Sequence, residues 1–187
     1  MSSTLHSIVK SFIIVPLMAT SVSMNAFTAN IHTAIQAVTP AVEAQSLEEI
    51  ALQATRQERA AKIDAYFAKR GMPLEGYGMK MVLEAEKYDL PWNLIPAIGV
   101  RESTGGKFAC TSVTNSMFGF GSCRMNFQSV DHAIEVVARN LGGENPNTAG
   151  AYKGKTLEGK LKSYNSVIPE YKNEIFTIMS VIENTAI

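Results

Sequence analysis

Apolar residues recur at helical spacing along most of the chain, and caps, glycines and prolines divide the pattern into segments. Ser46-Leu47-Glu48-Glu49 is a capping box in front of an amphipathic, charge-rich stretch, and it predicts a helix from Ser46 to Arg70. Gly71 can close that helix in a left-handed conformation, and Pro73 prevents its continuation. This helix either packs on the rest as an arm or stands partly apart. A second helix is predicted from about Leu74 to Tyr88. Asp89 and Pro91 then form a cap and first turn for a third, Pro91 to Glu102, which Gly105-Gly106 ends.

Residues 103–128 are rich in Gly, Ser, Thr and Asn and read as one long ordered loop, with room for a short hairpin. Structureless loops of this length are uncommon unless they are functional. Ser129 caps a fourth helix to about Leu141, and residues 142–147 form a turn-rich link. Thr156 caps a helix through Tyr164, and Pro169 opens a last one to about Asn184. The fold class expected is all-α, with one insert between the third and fourth helices. The organisation expected is a targeting segment and linker over 1–45, an N-terminal helix over 46–71 and a helical domain over 72–187.

The first segment looks like an export signal. Lys10 precedes the apolar run Ser11 to Ala19, which is of signal-peptide length. A span needs about 20 apolar residues, and Pro16 with the Ser and Thr that follow disfavours one. Thr28 to Gln45 is rich in Ala, Thr, Val and Pro and lacks a firm helical stripe, and Val42-Glu43-Ala44 has the form of a cleavage site. Because the leading region is weakly basic, an uncleaved N-terminal membrane anchor is the alternative. Either way the folded part is expected outside the cytoplasm, secreted, periplasmic or associated with a cell wall.

Composition adds exclusions. The 187 residues carry 17 basic and 17 acidic side chains, a formal net charge of +0, so nothing suggests nucleic-acid binding. Apolar residues make up 46% of the chain, enough for a core. The two cysteines, Cys110 and Cys123, both fall in the long loop; export favours a disulfide between them over two free thiols. No cofactor and no metal are expected: His6, His32 and His132 are scattered, and Met72, Met79 and Met81 suit core filling. Thr104-Gly105-Gly106-Lys107 is no phosphate loop, since Phe108 follows the lysine, and Ser103 lies in no Gly-x-Ser-x-Gly elbow.

The candidate for chemistry is Glu102. It continues the apolar face of Trp92, Ile95, Ile98 and Gly99, at the C-terminal end of the third helix. Burial there raises a carboxyl pKa, as a general acid at neutral pH requires, and the helix terminus pushes the same way. The alternative is a Glu that swings out to solvent or pairs with a local Arg or Lys. Beyond the glycines, Phe118-Gly119-Phe120-Gly121 alternates rings with open backbone, which suits the partly apolar faces of sugar rings. The same aromatics could instead pin the loop into the core.

Residues Ala85 to Ile98, followed by Arg101-Glu102-Ser103, resemble the helix pair that delivers the catalytic Glu-Ser in soluble lytic transglycosylases. Tyr164-Asn165 resembles the Tyr-Asn near the end of that domain, and Asn115-Ser116-Met117-Phe118-Gly119-Phe120 resembles the Asn-x-x-Phe-Gly segment of bacterial endo-β-N-acetylglucosaminidases. Both families have the lysozyme-like fold, and the resemblance covers roughly Leu74 to Met179. It implies a monomeric enzyme acting on peptidoglycan glycan strands, with Glu102 catalytic and Ser103, Asn115, Phe118, Gly119, Tyr164 and Asn165 holding acid or substrate. Two features depart from the transglycosylase pattern. Ser116-Met117-Phe118-Gly119 stands where that family carries a Gly-Leu-Met-Gln-like stretch, and Ser166-Val167 follows the Tyr-Asn in place of Ala-Gly.

Hydrolysis would require a second carboxylate across the bond. The sequence offers only Asp131, Glu135 and Glu144, each better read as solvated or capping, so transglycosylation leads. A wall-binding module that keeps the fold without turnover is the alternative from another class.

Overall fold

The computed structural model describes the backbone from Met24 and the side chains from Gln45, both through Ile187. The apolar run at residues 11–19 and its flanking Lys10 lie outside the described residues. Seven helices follow in order: α1 (Met24–Ala68), α2 (Gly78–Lys87), α3 (Leu94–Ser103), α4 (Val130–Gly142), α5 (Ala149–Tyr152), α6 (Leu157–Tyr164) and α7 (Tyr171–Glu183). There is no strand among the described residues, so the chain is mainly helical and the long loop contains no hairpin ladder. Nor is any described helix long and apolar enough to cross a membrane.

The chain divides into two units, Met1–Ser46 and Leu47–Ile187, and the candidate site lies in the second. Helix α1 corrects the expected start at Ser46. Its backbone is already helical from Met24, so the capping box sits inside a helix. The stretch before it is Ala-rich and free of glycine, which favours a helix, while Pro40 within it opposes one. At its other end Ala60, Ile63, Tyr66 and Phe67 are buried in the core, so the last turns of α1 pack with the helices that follow. Gly71, at φ +58°, turns the chain after it. The Asp64 carboxylate then accepts the backbone N–H groups of Gly76 and Gly78 at 2.9 Å each, serving the amides in front of α2.

Helix α3 is the centre of the unit. Seven of its residues, Leu94 to Gly99 and Ser103, are buried, so its apolar surface runs nearly all round rather than along one stripe. It starts at Leu94, not at Pro91, with Asn93 as N-cap residue; Asp89 takes φ +51° in the turn before it. The Asn93 amide donates to the Met179 carbonyl at 3.1 Å and ties the start of α3 to α7, its most extensive packing partner. Gly99 allows a different close approach, of Leu74 and the 103–128 loop to α3. A Cβ there would come within 2.7 Å of Leu74 Cδ1 and 3.0 Å of Phe118 Cε1. Burial of side chains such as Ile95, Ile98, Phe118 and Ile175 contributes about 1.5–3 kcal/mol apiece.

Helices α4 and α6 begin at the expected caps, while α7 starts at Tyr171, two residues after the expected Pro169. The Ser129 hydroxyl accepts the His132 N–H at 3.1 Å, and the Thr156 hydroxyl accepts the Gly159 N–H at 3.2 Å. Helix α5, four residues long, was not expected.

Candidate active site

Glu102 is the penultimate residue of α3, on the last turn before the chain reverses. Thr104, at φ +53°, caps the helix, and Gly105 and Gly106 follow at φ +64° and +99°. The Ser103 hydroxyl fixes this reversal: it donates to the Met117 carbonyl at 2.5 Å and accepts the Gly106 N–H at 2.8 Å. One buried hydroxyl thus holds the end of α3 against the far side of the 103–128 loop. Farther along, Asn115, at φ +53°, donates from Nδ2 to the Phe127 carbonyl at 2.9 Å, which closes the loop on itself. Cys110 and Cys123 lie at disulfide distance, with Cα atoms 5.8 Å apart, and cross-link the same loop.

The loop returns its backbone to the acid. Gly119, at φ +63°, lies against the Glu102 carboxyl so closely that a Cβ at this position would overlap Oε2 and stand 3.0 Å from Cδ. Only glycine satisfies both the conformation and the contact. The other carboxyl oxygen has a donor: the Tyr171 hydroxyl, from the first residue of α7, reaches Oε1 at 2.7 Å. Tyr171 is held in turn by Tyr164, whose ring stacks on it with centroids 6.3 Å apart and planes 13° from parallel. The Tyr164 hydroxyl donates to the Phe118 carbonyl at 2.6 Å, which secures the backbone next to Gly119. Arg101 pairs with Glu174 on α7 and lies 5.8 Å from the Tyr171 ring centre, a further tie between α3 and α7.

These surroundings perturb the acid. Burial pushes the Glu102 pKa above the ordinary carboxyl range, while the Tyr171 hydrogen bond and the Arg101 charge pull it back down. Burial also raises Tyr171 and Tyr164, and the Glu102 charge adds to both, so the phenols stay protonated and act as fixed donors. Since Oε1 already accepts from Tyr171, the carboxyl proton of the neutral acid belongs on Oε2, the oxygen beside Gly119.

Glu102 opens into a cleft of about 530 Å³. Ser103, Gly119, Tyr164 and Asn165 line it with Glu102, and so do Phe108, Ser116, both cysteines and residues 166–168. Asn115 and Phe118 are not on this lining; the Phe118 ring is in the core, and the segment offers the cleft backbone in place of a ring face. Asn165 Oδ1 accepts the N–H groups of Val167 and Ile168 at 3.1 Å each and shapes the part of the wall that they form. Glu102 is the one acid among the described residues of the lining; Asp131 and Glu135 are on α4, and Glu144 is in the turn that follows it. Among the described residues no group of three or more His, Cys, Asp or Glu side chains is placed to hold a metal ion.

Sequence reasoning missed Tyr171 and Phe108. Tyr171 lies two residues after the expected Pro169 start, but nothing in the local pattern connects it with Glu102, 69 positions away. Phe108 entered only as the residue that disqualified a phosphate loop. No protein-family model matches this chain, and neither a curated protein nor a solved structure matches it.

Proposed function

We propose that this protein is a peptidoglycan-cleaving enzyme of lysozyme-like fold that acts outside the cytoplasm as a lytic transglycosylase. The observation that carries the reading is a half-buried carboxyl with a raised pKa, Glu102, as the one acid among the described residues that line a cleft. In this reading neutral Glu102 gives its Oε2 proton to the glycosidic oxygen between N-acetylmuramic acid and N-acetylglucosamine as the bond from that oxygen to muramoyl C1 breaks and the N-acetylglucosamine leaves as a free hydroxyl. The carboxylate left behind then takes the proton of the muramoyl 6-hydroxyl, whose oxygen closes on C1 to leave a 1,6-anhydro end. Acid and base are one residue in succession, so a single carboxyl suffices. Gly119 leaves the proton-bearing oxygen unobstructed by a side chain, and Tyr171 holds the other in place.

Hydrolysis by the same fold is the second reading, favoured by the Asn115 to Phe120 segment. It calls for another carboxylate, about 5–9.5 Å from the first, and the described residues of the cleft lining supply none.

The test is a digest of purified peptidoglycan by the protein and its Glu102→Gln variant, with products weighed by mass spectrometry. Products one water short, ending in anhydromuramic acid and absent with the variant, are expected. Reducing-end products would replace transglycosylation by hydrolysis, and the terminal sugar would tell which bond is cut. Intact glycan after exposure to a folded sample at acidic and neutral pH would leave only a wall-binding module.

A further inference from the structure

The cleft at Glu102 has an unusual rim. Of the exposed large hydrophobic side chains among the described residues, the two most exposed are Val167, at 85%, and Phe108, at 76%, and both line this cleft. Ile168 lines it too and is also exposed. Isolated surface hydrophobics are ordinary, but three that converge on one concavity form a patch that calls for an occupant. They come from two separate parts of the chain. Phe108 follows the helix that carries Glu102, and its N–H is fixed to the Ser103 carbonyl at 2.9 Å. Val167 and Ile168 belong to the turn after α6, held by Asn165 Oδ1. Both anchors are thus built into the fold, and neither residue belongs to the buried core.

We infer that Phe108 and Val167 are the lips of a sugar subsite that grips one pyranose ring of a β-linked N-acetyl glycan beside Glu102. The inference rests on the glycan-cleaving reading of the cleft and names the contact through which it would hold its substrate. A β-linked pyranose with equatorial substituents presents a face of axial C–H groups. An exposed phenyl ring on one side and an aliphatic side chain on the other match such a ring and would lose their water on binding it. The cleft also has an uncommitted polar group. Ser116 is on the lining, its Oγ is buried, and that oxygen has no hydrogen-bond partner among the described residues. A pyranose with an acetamido substituent brings apolar face and hydrogen-bonding group together, as this wall does. The rings of Phe118 and Phe120 are committed elsewhere, the first to the core and the second against Tyr164 at 6.0 Å, so Phe108 is the aromatic free to stack.

The experiment is calorimetric titration of the full chain, carrying Glu102→Gln so that nothing turns over, with the β-1,4-linked tetramer of N-acetylglucosamine. Phe108→Ala should weaken binding at least tenfold. Phe108→Trp should preserve it and give a change in tryptophan emission on saturation that the Phe108 parent, with Trp92 alone, lacks. Leu83→Ala, an exposed apolar residue of α2 outside the cleft, should bind like the parent. Equal binding by Phe108→Ala and the parent would overturn the subsite while leaving the glycan reading intact. If the parent does not bind the tetramer at all, the subsite is likewise overturned, and the digest with unmodified Glu102 shows separately whether the glycan reading falls with it.

Discussion

Replacing Tyr171 by phenylalanine removes one oxygen and tests the electrostatics of the acid without touching it. The hydroxyl donates to Glu102 Oε1 at 2.7 Å, and it favours the carboxylate over the neutral acid. Burial acts in the opposite sense and is the larger influence, so the pKa is already raised. Deleting the donor therefore raises it further. A hydrogen bond to a charged group contributes about 1.5–3 kcal/mol, which bounds what the carboxylate form loses with the hydroxyl. The neutral acid also loses part of that bond, so the net effect is smaller, but its direction, toward a higher pKa, is the same. A general acid works only while protonated, so activity falls as pH rises through its pKa, and in Tyr171→Phe that alkaline limb should move to higher pH. Two assays read this: the pH profile of peptidoglycan solubilisation, and a carboxyl carbon-13 titration of glutamate-labelled protein with Glu102→Gln as the assignment reference. An alkaline limb that stays in place or moves to lower pH, in a variant that remains folded, would refute the reasoning.

Two further predictions follow from the loop. Gly119→Ala should push the Glu102 carboxyl out of place and lower the cleavage rate by at least tenfold, at a stability cost of about 1–2 kcal/mol from its left-handed backbone; a rate within twofold of the parent would contradict the contact. Reduction of the Cys110–Cys123 pair, whose positions are 13 apart, should cost about 3 kcal/mol and lower the urea midpoint by roughly 1–3 M. Urea curves that coincide with and without reductant would count against a closed disulfide.

What was legible in the sequence was local. The caps at Ser129 and Thr156 are satisfied by amides three residues on, so their signatures required nothing from the rest of the fold. The reversal at Gly105-Gly106 and the placement of Glu102 near the end of an apolar helix were legible for the same reason. The capping box at Ser46 misled, because such a box marks a start only where the preceding residues are not helical, and an Ala-rich stretch has no residue that forbids helix strongly except Pro40. The expected third helix began three residues early because Pro91 suits the turn ahead of a helix as well as its first position. Helix α5 has too few residues for a periodicity to register. The site itself was half legible. The alternation of Phe118 and Phe120 with glycines drew attention to those rings, but it says nothing about which ring turns inward. That is decided by the space beside Gly99, on another element.

The tie between Tyr171 and Glu102 spans 69 positions of chain and crosses from one helix end to the start of another. Such a contact exists only while α7 is docked, so the acid's character belongs to the assembled domain and not to its own helix. Local opening of the first turn of α7 would admit water to the carboxyl and remove its donor together. Glu102 would then titrate as an ordinary surface glutamate, and the site would fall silent with every one of its covalent parts intact.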